Sequence, residues 1–167
     1  MQWGLPTERY YEEEGRAELT PRDFGILMHR VFENAATTDE IYMAIEAMTQ
    51  DGVLDEKEAP RLRELVEKAL ADPVTAEWFG GRWQVVRNEN EIILPGSGTT
   101  RRPDRVMTDG ERAVVVDYKF GDRETARHRK QIREYLRLLR QMGYTRTEGY
   151  LWYVRLGRTE RVEEKED

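Results

Sequence analysis

Residues 102–121, which read RPDRVMTDGERAVVVDYKFG, constrain the fold more than any other stretch of the chain. Asp109-Gly110 lies between two strand-like runs, and both residue types tolerate the positive φ that a tight hairpin turn requires. The apolar run Val114–Val116 is typical of a buried strand. We therefore predict a β-hairpin whose second strand lies in the core.

The second predicted strand ends with an acid and an amine on one face. Asp117 and Lys119 are two residues apart, so their side chains point to the same side of a strand. If Asp109-Gly110 forms the loop, Asp104 lies opposite Val115. Asp104 then shares the face of Asp117 as its diagonal neighbour, and a slip of one residue would move it to the other face.

Two carboxylates and one lysine would thus meet near one point. Carboxylate oxygens suit a divalent cation, and a lysine beside them can orient or polarise a nucleophile or a phosphate oxygen. Burying Asp117 and Lys119 without such partners would be costly. The alternative is an ordinary Asp–Lys pair on a surface hairpin, since chance D-x-K matches are common.

The composition excludes several classes of protein. With 167 residues and 38% hydrophobic content, the chain forms one domain, residues 1–167. It has no cysteine, which excludes disulfides, thiolate metal sites and a cysteine nucleophile. The N-terminus lacks the apolar core of a signal peptide, and no run approaches membrane-spanning length. We therefore expect a soluble cytoplasmic protein with no membrane partner.

The charge distribution is uneven. The net charge of -6 argues against a protein that coats nucleic acid non-specifically, but basic residues crowd the predicted site. A basic face beside an acidic metal site suits phosphodiester chemistry, although the helix arginines alone also fit a solvated helix face. These basic residues are Arg101, Arg102, Arg105, Lys119, Arg123, Arg127, Arg129, Lys130, Arg133, Arg137 and Arg140.

An irregular lead-in, residues 1–19, precedes a helical section, residues 20–80. Thr20-Pro21 predicts the start of a first helix that runs to about residue 34. Gly25, His29 and Glu33 are spaced by four and form one stripe on this helix. The glycine would let another segment approach closely, and the other two side chains would project into one site. From spacing alone, a structural histidine is the commoner case.

The remaining periodicity predicts an α/β (α+β) fold with a central mixed β-sheet flanked by helices. Residues 81–157 would form the sheet core, and the last predicted strand would return beside the Asp117 strand through a helical crossover. Further helices are predicted at 38–49, 54–71, 73–79 and 123–142, strands at 83–86, 91–94 (with a hairpin between them) and 147–156, and a frayed charged tail at 158–167.

Together these motifs resemble the RecB-like branch of the PD-(D/E)XK superfamily over about residues 22–156. In that branch a helix with glycine, histidine and glutamate precedes an aspartate, a D-x-K strand and a helix with glutamine and tyrosine. One departure is that Arg101-Arg102-Pro103 stands where members usually carry a glycine, and Glu91 weakly matches an acidic position. The matching residues are Gly25, His29, Glu33, Asp104, Asp117-Tyr118-Lys119, Gln131 and Tyr135.

The resemblance implies a restriction-endonuclease-like core and metal-dependent hydrolysis of DNA with Mg²⁺ or Mn²⁺. It implies that Asp104, Asp117 and Lys119 are catalytic. His29 and the Tyr118 carbonyl would join the two aspartates as metal ligands. Supporting or DNA-binding roles fall to Gln131, Tyr135, Glu33, Arg102, Arg105, Arg127 and Lys130.

The resemblance also implies partners. In that branch the domain is attached to a helicase, in the same or a partner chain, and acts as an exonuclease on a single-stranded DNA end in double-strand-break repair and recombination. The alternative class is a non-catalytic DNA-binding or scaffolding module that retains a nuclease fold. Such a module would keep the basic helix without needing the metal ligands.

Overall fold

The structure is a computed structural model that describes residues 19–88, 92–93, 100–101, 103–121 and 126–165. Its helices are α1 (Pro21–Phe32), α2 (Thr38–Gln50), α3 (Ala59–Ala69), α4 (Pro73–Trp78) and α5 (Ala126–Gln141). Its strands are β1 (Val85–Asn88), β2 (Ile92–Ile93), β3 (Thr100–Arg101), β4 (Arg105–Asp109), β5 (Arg112–Lys119), β6 (Arg146–Tyr153) and β7 (Arg158–Val162). Within these ranges, no helix has the length and apolar content needed to cross a membrane.

The helical section begins where its capping residues predict. Thr20 and Asp23 form a reciprocal capping box at the start of α1, with Pro21 in the first turn. The predicted third helix is too long by several residues at its start, because the chain forms turns up to Glu58 and Pro60 then occupies the first turn of α3. The capping box therefore sets the start of α1, whereas α3 starts with Pro60 in its first turn and without a side-chain cap.

Five strands form a mixed sheet in the order β1-β4-β5-β6-β7. The β5 and β6 strands are parallel and are joined by α5, as predicted, whereas the other neighbouring pairs are antiparallel. Helices flank this sheet, and the predicted α+β class with a restriction-endonuclease-like core is confirmed.

The predicted hairpin between residues 83–86 and 91–94 is wrong. The β1 strand pairs with β4, and β2 pairs with β3 in a separate two-stranded sheet. The polar residue Asn88 belongs to β1 rather than to a turn, because its amide donates to the Ala35 carbonyl and accepts from Arg105. Glu91 lies outside the described residues.

The predicted charged tail is also corrected. Residues 158–162 form the edge strand β7, which pairs with β6. Val162 is buried against the α5 side of the sheet, and Glu160 forms an ion pair with Arg129 on α5. Antiparallel pairing with the preceding strand, one apolar anchor and this ion pair therefore order a segment whose composition alone predicts fraying.

Two apolar clusters cover the two faces of β5. Val114, Val116 and Tyr118 face the helical section, where Tyr118 packs on Phe32 and Trp152. Ala113 and Val115 face α5. Because side chains alternate along a strand, Asp117 and Lys119 lie on the same face as Ala113 and Val115, which is the face towards α5. This end of the sheet lies between α1 and α5.

Candidate active site

The hairpin loop differs from the prediction by one residue. Asp109 pairs with Arg112, so the loop is Gly110-Glu111, and Gly110 has a φ of 58°, which favours glycine. Val106 rather than Asp104 lies opposite Val115. Continuing this ladder places Asp104 opposite Asp117. The partner of Asp104 thus shifts by two positions, and a shift of two keeps Asp104 on the predicted face.

Asp104 and Asp117 form a mostly buried carboxyl pair. The backbone N–H of Tyr118 donates to Asp104 Oδ2 at 2.7 Å, and the carboxyl of Asp117 lies close enough to Asp104 to change its pKa. Burial, followed by the charge and hydrogen bond of Asp117, raises the pKa of Asp104 to about 8, against the lowering effects of the Tyr118 N–H and Lys119. Two carboxyls in this position share a proton or a cation.

Lys119 provides the positive charge of the site. Its Nζ lies 2.7 Å from Asp117 Oδ2, and the side chain of Asp117 is only 8% exposed. The ammonium group therefore compensates one carboxylate of the pair. The D-x-K residues of β5 thus form a close ion pair on the face that the sequence predicts.

His29 reaches this pair from α1. Its Nε2 lies 3.6 Å from Asp104 Oδ1, and its Nδ1 lies 3.7 Å from Glu33 Oε2. The α1 helix comes this close because Gly25 has no side chain: a Cβ there would lie 3.0 Å from Cβ of Phe120. The Phe120 ring also packs edge-on against His29, with ring centroids 6.1 Å apart. The close approach predicted at Gly25 is therefore present.

The donor chemistry fits a divalent cation. Within the described residues no group of three His, Asp or Glu side chains is arranged to hold an ion with the side chains as they stand. However, two ligands of one ion, each bound at about 2.1 Å, lie at most about 4.2 Å apart, and the His29 and Asp104 atoms meet that limit at 3.6 Å. Two adjacent buried carboxyls also favour a cation between them.

The Tyr118 carbonyl points towards the same side. The Tyr118 N–H donates to Asp104 on the β4 side, and the Lys119 carbonyl accepts from Val154 on the β6 side. The N–H and C=O of one strand residue point to the same edge, so the Tyr118 carbonyl points towards Asp104. Pro103, which is buried there, has no N–H to donate to it.

The α5 helix supplies the predicted glutamine and tyrosine. Gln131 Nε2 donates to the Tyr135 hydroxyl at 3.0 Å, and Tyr135 is fully buried. Gln131 also lines a cleft of ≈ 420 Å³ with Lys119, Arg127 and Lys130. The structure therefore brings Gln131, Arg127 and Lys130 beside the end of β5 and leaves Tyr135 behind them.

Arg105 is not on the surface, and sequence reasoning missed its environment. It is fully buried, lies over the Phe79 ring and donates to the carbonyls of Ala35, Ala36 and Trp78. Because its side chain is fully buried, Arg105 can support the site but does not contact DNA. Arg102 lies outside the described residues.

Phe120 is the other residue that sequence reasoning missed. It follows the D-x-K residues directly, and together with Gly25, His29 and Arg155 it lines a second cleft of ≈ 670 Å³. The only available signal was an aromatic residue immediately after Lys119. An aromatic residue at this position does not by itself predict a contact with α1.

The comparisons with known proteins agree with this geometry. Residues 2–167 match the sequence profile of the PD-(D/E)XK nuclease superfamily. None of the curated proteins compared with the chain matches it. The profile spans nearly the whole sequence, and the mixed sheet carries Asp104 and the D-x-K residues at one point. The chain therefore belongs to the PD-(D/E)XK nuclease superfamily.

Proposed function

We propose that this protein is a metal-dependent deoxyribonuclease that hydrolyses phosphodiester bonds at the end of β5. The observation that carries the proposal is the buried Asp104–Asp117 carboxyl pair with Lys119 Nζ at 2.7 Å from Asp117. Membership of a nuclease superfamily supports a nuclease-type function on DNA.

Asp104, Asp117, His29 and the Tyr118 carbonyl would hold Mg²⁺ or Mn²⁺. When bound, the ion lowers the pKa of a coordinated water and offsets the charge that develops on the phosphate. A nitrogen ligand favours Mn²⁺ over Mg²⁺, because Mg²⁺ prefers oxygen donors. Glu33, 3.7 Å from the other ring nitrogen of His29, orients the imidazole.

Lys119 has the position of a group that orients the attacking water or a phosphate oxygen. Its ammonium lies beside Asp117 and lines the basic cleft at the start of the described part of α5. In that cleft Arg127 and Lys130 bind the DNA backbone, while Gln131, held by Tyr135, supports Lys119 from the helix side.

The order of the Gly-His-Glu helix, the D-x-K strand and the Gln-Tyr helix supports a narrower proposal. We assign the chain to the nuclease part of a helicase-nuclease that acts as an exonuclease on a single-stranded end in double-strand-break repair. The second candidate function is a non-catalytic DNA-binding module. The basic cleft alone would serve that function, but the carboxyl pair would then have no use.

The test compares the intact protein with Lys119→Ala on end-labelled single- and double-stranded DNA in Mn²⁺. The matched control is Lys68→Ala, since Lys68 is a lysine on α3 with a 72% exposed side chain. We expect product from the protein and from the control, and a rate lower by about 100-fold or more in Lys119→Ala. Equal product from all three proteins, or none from any, contradicts hydrolysis at this site.

A further inference from the structure

The cleft of ≈ 670 Å³ opens beside His29, on the opposite side of the sheet end from the basic cleft of α5. Its size falls within the range of about 300–1,000 Å³ that is usual for small-ligand pockets. Ile26 and Phe120 form apolar walls, and the bare backbone of Gly25 lies between them. Ile26 is 53% exposed on α1. The cleft therefore offers an apolar, partly aromatic surface next to the candidate metal ligands.

Arginines surround this apolar surface. Arg22 and Arg30 line the cleft from α1, and Arg155 lines it from the segment after β6. Among the described residues that line it there is no aspartate or glutamate. This lining suits an occupant that combines a flat apolar group with negative charge beside it. A nucleotide within a single strand has this combination, since its base has a π face and its phosphates flank the base.

A base within a duplex does not fit this description. Its faces are covered by stacking on neighbouring pairs, so it offers no free surface to Phe120 or Ile26. An unpaired base does offer its face, and stacking on aromatic side chains is tolerant of sequence. The position of the cleft next to His29, 3.6 Å from Asp104, would place that nucleotide beside the phosphate to be cut.

We propose that this cleft binds one unpaired nucleobase of the substrate strand, against Ile26 and Phe120, while Arg22, Arg30 and Arg155 bind the flanking phosphates. The proposal rests on the proposed nuclease function and adds to it a subsite that selects single-stranded DNA. It also gives Phe120 a second role besides its packing against Gly25 and His29.

The test measures binding separately from hydrolysis. Fluorescence anisotropy of the intact protein in a chelator compares a six-nucleotide thymidine strand with an abasic strand of the same length and charge. We expect the strand with bases to bind about 5- to 150-fold more tightly. Ile26→Asn should remove most of this preference, and Arg30→Gln should weaken both strands equally and reduce the salt dependence.

Met142→Asn is the matched control, because Met142 is an exposed apolar residue, 66% exposed, that lines neither cleft. It should keep the base preference. Phe120→Leu, with its melting temperature measured beside it, is a second variant that should reduce the preference.

Three outcomes overturn the proposal. Equal affinity for the two strands, or a preference that survives Ile26→Asn, overturns the base subsite. The proposed nuclease function is retained in either case if Mn²⁺-dependent cleavage is observed. Absence of both binding and cleavage overturns the subsite together with the nuclease function.

Discussion

The carboxyl group of Asp104, directly before β4, lies beside that of Asp117 near the end of β5. The β4–β5 ladder ends at Arg105 opposite Val116, so its continuation brings Asp104 opposite Asp117, and the Tyr118 N–H donates to Asp104 at 2.7 Å. Lys119 compensates only one negative charge of this pair. The pair therefore binds a proton or a cation more strongly than either carboxyl alone would.

The first prediction is a loss of stability with rising pH in the absence of metal. The pKa of Asp104 is about 8 in the folded protein, against roughly 3.9 for an unperturbed Asp. Between these values the folded state holds a proton that the unfolded chain has lost, so the free energy of unfolding falls as pH rises. Asp104→Asn should remove this component and be more stable than the unmodified protein at pH 8.

Thermal melting in a chelator at several pH values between about 4 and 9 measures this difference. Subtracting the Asp104→Asn curve removes the contribution of other titrating groups that the two proteins share. A difference that does not change with pH would contradict the raised pKa of Asp104.

The second prediction concerns Mn²⁺ binding. A divalent cation at the carboxyl pair must displace the shared proton, so affinity should increase with pH up to about 8 and binding should release a proton. His29→Ala should raise the dissociation constant for Mn²⁺ by at least about tenfold. The effect on Mg²⁺ should be smaller, because Mg²⁺ depends less on a nitrogen ligand.

Isothermal titration calorimetry in two buffers of different ionisation enthalpy measures both the affinity and the released proton. The control is His128→Ala, since the chain has two histidines and His128 lines the cleft of α5 rather than the α1 side. Equal losses of Mn²⁺ affinity in the two variants would argue against His29 as a ligand.

Sequence reasoning predicted the parts of this site that depend on local patterns. The Gly25, His29 and Glu33 stripe follows from helical spacing, and the D-x-K residues follow from strand alternation. The hairpin register could not be predicted, because Asp109-Gly110 and Gly110-Glu111 both accommodate a glycine turn. The edge strand β7 pairs with β6 across a short turn that contains Gly157, but its charged composition has little of the apolar alternation that predicts a strand.

The third prediction tests how α1 is positioned. Gly25→Ala adds a Cβ that would lie 3.0 Å from Cβ of Phe120, an atom close to the backbone that cannot rotate away. Because alanine favours helix by about 1 kcal/mol over glycine, global stability should change little. The displaced helix should move His29 away from Asp104, so Mn²⁺ affinity and cleavage should fall more than stability does.

Urea denaturation and Mn²⁺ titration of the same Gly25→Ala preparation separate these effects. Met43→Ala, at a 66% exposed position on α2 that lines neither cleft, is the control for a gain in helix propensity alone. Unchanged Mn²⁺ affinity in Gly25→Ala would show that α1 does not need this close contact to position His29.

The fourth prediction concerns the arginine that joins the helical section to the sheet. Arg105 follows Asp104 directly, and its guanidinium donates to the carbonyls of Ala35, Ala36 and Trp78. Arg105→Met keeps much of the volume but leaves these carbonyls without their donor, which should cost about 3–5 kcal/mol of unfolding free energy. Arg127→Met, at an exposed position on α5, should change stability by less than about 0.5 kcal/mol.

The two arginine variants should show opposite patterns, because one residue supports the fold and the other faces the basic cleft. Urea denaturation should detect the loss only in Arg105→Met. DNA binding at a temperature where both variants are folded should be weakened mainly in Arg127→Met, with a lower salt dependence, since a phosphate contact is lost there. If Arg105→Met were as stable as the unmodified protein, other donors would have to satisfy the carbonyls of the helical section.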